Sequence, residues 1–67
     1  MPIVQVYVWK GMSLEAKRKL ISGITKTFTE LGIPSHAVEV LILEIPNEDW
    51  GIGGELASEK FREVKPP

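Results

Sequence analysis

A proline directly follows the initiator methionine, and the pair Met1-Pro2 is where residue type alone suggests chemistry. Proline is a small penultimate residue of the kind from which methionine is normally trimmed. Trimming leaves the Pro2 nitrogen as a free secondary amine at the head of the run Ile3-Val4-Gln5-Val6-Tyr7-Val8-Trp9. An α-amino group ordinarily titrates at roughly 7.7–8.0, and burial beside apolar side chains lowers that by disfavouring the charged form. A secondary amine starts out more basic, so desolvation is what brings it toward neutrality, where a general base works best. The plainer role for Pro2 is to open a strand, where its missing N–H costs little. With Met1 still attached, the nitrogen is an amide and cannot act as a base.

Little else offers chemistry. The single histidine, His36, lies in the linker Pro34-Ser35-His36-Ala37 and reads as a turn or capping residue. One histidine cannot build a zinc site, and the lack of cysteine excludes thiolate ligands and disulfides. Trp50-Gly51-Ile52-Gly53-Gly54-Glu55-Leu56 is glycine-rich but lacks the spacing of a dinucleotide fingerprint, and no Gly-Lys-Ser/Thr ends it as in a phosphate loop. No cofactor and no metal is expected.

The elements that position Pro2 follow from periodicity. Residues 2–9 alternate, with Val4, Val6 and Val8 on one face and Ile3, Gln5, Tyr7 and Trp9 on the other, a strand rich in β-branched and aromatic residues. Lys10-Gly11-Met12 breaks the pattern. Ser13 offers an N-cap and Glu15 a first-turn carboxylate. From Leu14 to Leu31, residues Leu20, Ile21, Ile24, Phe28 and Leu31 fall at helical spacing, with Lys17, Lys19, Lys26 and Glu30 on a solvated face. Gly32 sits where a left-handed C-cap belongs, and Pro34 stops the helix. Residues 38–45 form a second strand, apolar on both faces apart from Glu39 and Glu44. Strand, helix and strand make one βαβ unit, with parallel strands and a right-handed connection. Pro46-Asn47-Glu48-Asp49 is a turn, the glycines then supply a tight hairpin or reversal, residues 57–64 are short and polar, and Lys65-Pro66-Pro67 reads as a frayed tail.

Sixty-seven residues allow one small α/β domain, 1–67. A chain this short buries only about 60% of its unfolded surface, yet 43% of the residues are hydrophobic. One helix covers one face of a two-stranded sheet, so the other face calls for a neighbouring subunit. With net charge −1, from eight basic and nine acidic residues, there is no electrostatic case for nucleic acid. No apolar run reaches a membrane span and no signal peptide is evident, so a cytoplasmic location is expected.

Pro2, the βαβ unit and the segment Trp50-Gly-Ile-Gly-Gly-Glu-Leu-Ala-Ser58 together resemble the 4-oxalocrotonate tautomerase family, over a stretch from Pro2 to about Arg62. The resemblance implies a homohexamer, a trimer of dimers whose C-terminal hairpins latch onto neighbours. It also implies enol–keto tautomerisation of a 2-hydroxydienoate or enol-pyruvate type substrate. The Pro2 amine would take a proton from the enol oxygen and return one to carbon, which suits a 1,3- or 1,5-proton shift. Trp50 matches the family's pocket aromatic, and the backbone at Trp9 matches a position that binds water or the substrate carbonyl. Two positions depart from the pattern. The family carries arginines that grip the carboxylates of a dicarboxylate substrate, and this chain has Met12 and Glu39 there. Neither mimics a bidentate guanidinium.

Three readings of those departures stand. The substrate is a monocarboxylate, or is held by Lys10, Arg18 or Arg62 of a neighbour. Alternatively, the chain is one subunit type of a heterohexamer whose partner supplies the arginines. Or Glu39 activates water beside Pro2, turning the chemistry toward hydration or hydrolytic dehalogenation. The plainer roles are loop packing for Met12 and a rim carboxylate paired with a lysine for Glu39. A non-catalytic structural homologue that has kept its proline is the alternative outside enzymes.

Overall fold

The computed structural model describes all 67 residues. Strand β1 (Ile3–Trp9) leads through a tight turn into helix α1 (Leu14–Glu30), and a 3-10 turn (Ser35–Ala37) enters strand β2 (Glu39–Ile45). A second 3-10 turn (Asn47–Asp49) precedes the hairpin strands β3 (Gly51–Ile52) and β4 (Glu55–Leu56), and a short helix α2 (Ala57–Lys60) follows. No helix is long and apolar enough to cross a membrane.

The local chemistry explains where each element begins and ends. The Ser13 side chain accepts the Ala16 N–H at 3.1 Å, capping the first turn of α1. At the far end Gly32 adopts φ +95°, and the N–H groups of Gly32 and Ile33 donate to the carbonyls of Thr29 and Phe28 at 3.0 and 3.2 Å. That is a Schellman closure, which needs a residue tolerant of positive φ. In the hairpin, Gly53 and Gly54 have φ +59° and +84° between the paired residues Ile52 and Glu55. Two consecutive positive φ values make a type I′ turn, whose twist suits the flanking strands.

β1 and β2 run parallel, with Ile3 opposite Glu39, Gln5 opposite Leu41, Tyr7 opposite Leu43 and Trp9 opposite Ile45. The ladder extends one residue past β1 at each end, through Glu39 N–H to Pro2 O at 3.0 Å and Lys10 N–H to Ile45 O at 2.9 Å. Helix α1 packs on the sheet face that carries Val4, Val6, Val8, Val40 and Ile42, all half-buried. Glu44 belongs to this face too. Its carboxylate accepts the Gly11 N–H at 2.9 Å and pairs with Lys17 of α1, which ties the β1–α1 turn to β2. Those two contacts, the Lys17 hydrogen bond first, hold the Glu44 carboxyl below its ordinary range.

The opposite face is open. Ile3, Tyr7 and Leu41 are exposed there, and only Ala37 and Ala57 in the whole chain are buried. The radius of gyration is 14.5 Å, where a compact chain of this length has about 11 Å. The accessible surface is 5086 Å², where a compact 7.5 kDa chain exposes roughly 4,250 Å². A single protomer of this shape leaves its core half-built.

Two C-terminal expectations change. Residues 57–64 are not simply polar: Ala57 is fully buried as α2 begins, and its N–H donates to the Trp50 carbonyl at 2.8 Å, closing the hairpin. The tail is not frayed either. Pro66 is half-buried, and its ring Cγ and Cδ lie 3.5 and 3.9 Å from where a Cβ on Gly11 would stand. Those are ordinary contact distances, so the tail gains contact that its composition alone does not announce.

Candidate active site

The five residues singled out from the sequence fall into two groups at opposite ends of β1. Pro2 and Glu39 stand at its start, joined by the 3.0 Å hydrogen bond from the Glu39 N–H to the Pro2 carbonyl. Trp9, Met12 and Trp50 gather at its finish. A seven-residue strand separates the groups, and at about 3.3 Å per residue that is roughly 23 Å. One protomer therefore does not bring Pro2 to the tryptophans.

At the first end, Pro2 is half-buried and held by the ladder, so its ring nitrogen has a fixed position. Glu39 is exposed and makes no ion pair, the ion pairs of the chain being Lys17–Glu44 and Lys60–Glu55. The lysine partner expected for a plain rim carboxylate is missing. Its side chain shares the open sheet face with Ile3 and Leu41.

At the second end an aromatic cluster forms. The Trp9 and Trp50 rings meet edge to face, with centroids 6.1 Å apart and planes at 87°. The Phe61 ring lies 6.0 Å from that of Trp9, tilted by 35°. Such arrangements satisfy the ring quadrupoles and fix the rings beyond simple area burial. The cluster borders a cavity of about 310 Å³ lined by Trp9, Met12, Trp50, Lys65 and Pro66 among others. The Trp9 indole N–H is buried and has no acceptor. Buried donors are normally paired, so this one stands out in the wall of the cavity.

Sequence reasoning named the Trp9 backbone, whereas the side chain is what walls the cavity. It passed over Phe61, and it read Lys65 and Pro66 as a frayed tail with no part in a site. Phe61 stands in a stretch of charged residues, and no periodicity links it to Trp9. Lys10, Arg18 and Arg62, the cations considered as substrate grips, do not line this cavity. A second groove of about 520 Å³ runs along α1 past Leu20, Gly23 and Ile24 to Pro67, and Lys19 is its only charged side chain. His36 stays exposed in its 3-10 turn.

Comparison with known proteins assigns this arrangement. The model of the tautomerase enzyme family matches residues 2–60, so the tail beyond Lys60 lies outside the match. A 2-hydroxymuconate tautomerase of Comamonas testosteroni is 42% identical over 63 residues, covering 92% of this chain and 100% of that one. A 4-oxalocrotonate tautomerase isozyme of Methylibium petroleiphilum superposes with a TM-score of 0.80 at 40% identity, covering 85% of this chain and 94% of the other. TomN, a 4-oxalocrotonate tautomerase homologue of the tomaymycin biosynthetic pathway, superposes at 0.86 with 32% identity, over 92% and 97% of the two chains. A shared βαβ unit with a C-terminal hairpin, and sequence identity along nearly its whole length, make this chain a member of the tautomerase enzyme family.

Proposed function

We propose that this chain is an isomerase that interconverts the enol and keto forms of a 2-oxo acid bearing one carboxylate, with the Pro2 amine as general base. The observation that carries the reading is the position of Pro2: half-buried, at the head of β1, with its carbonyl held at 3.0 Å by the Glu39 N–H. Removal of Met1, which is 87% exposed, converts the Pro2 nitrogen into a secondary amine. Burial of that amine against a neighbouring subunit would disfavour its ammonium form and favour the free base. The amine takes the enol O–H proton and becomes an ammonium, and the same proton is then delivered to the substrate carbon. One fixed group serves both steps, so the catalyst needs no second acid.

The site is completed between subunits. Pro2 and the tryptophan-walled cavity lie at opposite ends of one strand, so a neighbour must bring its Pro2 to this chain's cavity. The open sheet face and the thin protomer of 43 × 23 × 14 Å support an assembly that covers both. A homohexamer built as a trimer of dimers, located in the cytoplasm, is the form proposed, with the 67 residues as its single domain. Neither Met12 nor Glu39 is a cation, which favours a monocarboxylate over a dicarboxylate.

Glu39 supports a second reading. An exposed carboxylate without an ion-pair partner, one ladder hydrogen bond from Pro2, is suited to activate water for addition to an unsaturated acid. Intact mass first establishes whether Met1 is removed. Ultraviolet assays of phenylenolpyruvate ketonisation and of hydration of an unsaturated monocarboxylate then separate the two reactions. No ketonisation by protein lacking Met1 overturns the tautomerase reading.

A further inference from the structure

We infer that Lys65, on the C-terminal tail, is the cation that holds the substrate's carboxylate in this chain. The inference rests on the tautomerase reading above and assigns its specificity. The cavity beside Trp9 and Trp50 is otherwise lined by apolar, aromatic and proline side chains, and Lys65 is the only one charged at neutral pH. The chain's ion pairs engage Lys17 and Lys60, so the Lys65 ammonium is uncommitted.

The tail is held against the loop that precedes α1. The Pro66 ring lies against Gly11, at ordinary contact distance from where a Cβ would stand. Two successive prolines fix φ and hold the segment extended, so Lys65 is carried on a chain with little conformational freedom to lose. An unsatisfied polar group lies in the same wall. The Trp9 indole N–H is buried and unpartnered, and Trp9 lines the same cavity as Lys65. A single cation in an otherwise apolar and aromatic enclosure recognises one carboxylate on an apolar body, the pattern of a monocarboxylate 2-oxo acid or its enol. Lys65 lies beyond the stretch that the family model matches, residues 2–60.

The chain has two tryptophans and both line the cavity, so indole fluorescence reads its occupancy. Titration with phenylacetate, an inert aromatic monocarboxylate, is compared with its uncharged methyl ester. Lys65→Ala is expected to raise the phenylacetate Kd and the phenylenolpyruvate KM on the order of tenfold, as for loss of one charge-assisted contact. Ester binding is expected to stay unchanged, and Lys65→Arg to restore the anion affinity. Lys65 is exposed, so these variants keep the fold, and Lys65→Gln serves as a second neutral replacement. Equal phenylacetate Kd in wild type and both neutral variants, or no binding by wild type, overturns the inference even if turnover persists. Lysine-dependent binding without phenylenolpyruvate turnover keeps the anion grip and overturns the tautomerase reading instead.

Discussion

The backbone N–H of Glu39 donates to the carbonyl of Pro2 at 3.0 Å, which sets a carboxylate-bearing residue beside the one nitrogen that can become a free amine. A negative charge nearby favours the protonated form of an amine. Glu39 has no cation to neutralise it within the chain. Glu39→Gln should therefore move the acidic limb of the kcat/KM profile to lower pH, because the base is freed of its proton more easily. An unchanged limb would mean that a neighbouring subunit neutralises Glu39.

Replacing Pro2 by alanine tests the base directly. Alanine at this position also leaves an amine after Met1 removal, but a primary one, more flexible and less basic. Turnover should fall by about two to three orders of magnitude, within the usual range for a displaced general base, while circular dichroism remains that of the wild type. Pro2 contributes a ladder acceptor that alanine also supplies, so folding is expected to survive. Unchanged turnover would remove Pro2 from the mechanism.

The βαβ unit was legible because its signals are local. Alternation in β1, helical spacing in α1, the Ser13 cap and the Gly32 stop each depend on residues a few positions apart. The Gly53-Gly54 hairpin was legible for the same reason. What could not be read depends on proximity in space. The Pro66 ring meets Gly11 across 55 positions of chain, and Phe61 meets Trp9 across 52. Nothing in the spacing of those residues encodes the contact. The separation of Pro2 from the tryptophans is geometric too, since alternation identifies a strand without saying which residues gather at its ends.

Glu44 gives a pH dependence with a definite sign. Its carboxyl is held below the ordinary 4.5, chiefly by Lys17 and then by the Gly11 N–H. A carboxylate lowered in the folded state adds stability that is present above the unfolded value and lost as pH falls through the folded one. Chemical denaturation of wild type and Glu44→Gln, at matched protein concentration, should differ most near neutrality and converge in acid, once pH falls below the lowered value of the folded carboxyl. A gap that persists in acid would show that the pair with Lys17 is not what stabilises the β1–α1 turn.

Leu41 decides whether the open sheet face is an interface. It is 45% exposed opposite Gln5, with Ile3 and Tyr7 exposed on the same face at 61% and 54%. Fully covering a leucine is worth about 2 kcal/mol, and a chain with only two buried residues has no other large reserve of burial. Light scattering of the wild type should give a multiple of the 7.5 kDa chain mass. Leu41→Lys would place an ammonium in the covered face, at a cost of several kcal/mol unless it escapes to water or to Glu39. That variant should dissociate, unfold at lower denaturant concentration and lose turnover, because Pro2 no longer meets a neighbour's cavity. Leu41→Met, which keeps the apolar volume, should retain both mass and activity. A wild-type mass of one chain at micromolar concentration would refute the shared site, and the protomer would then have to bring Pro2 to its own tryptophans by a rearrangement of β1 that its ladder opposes.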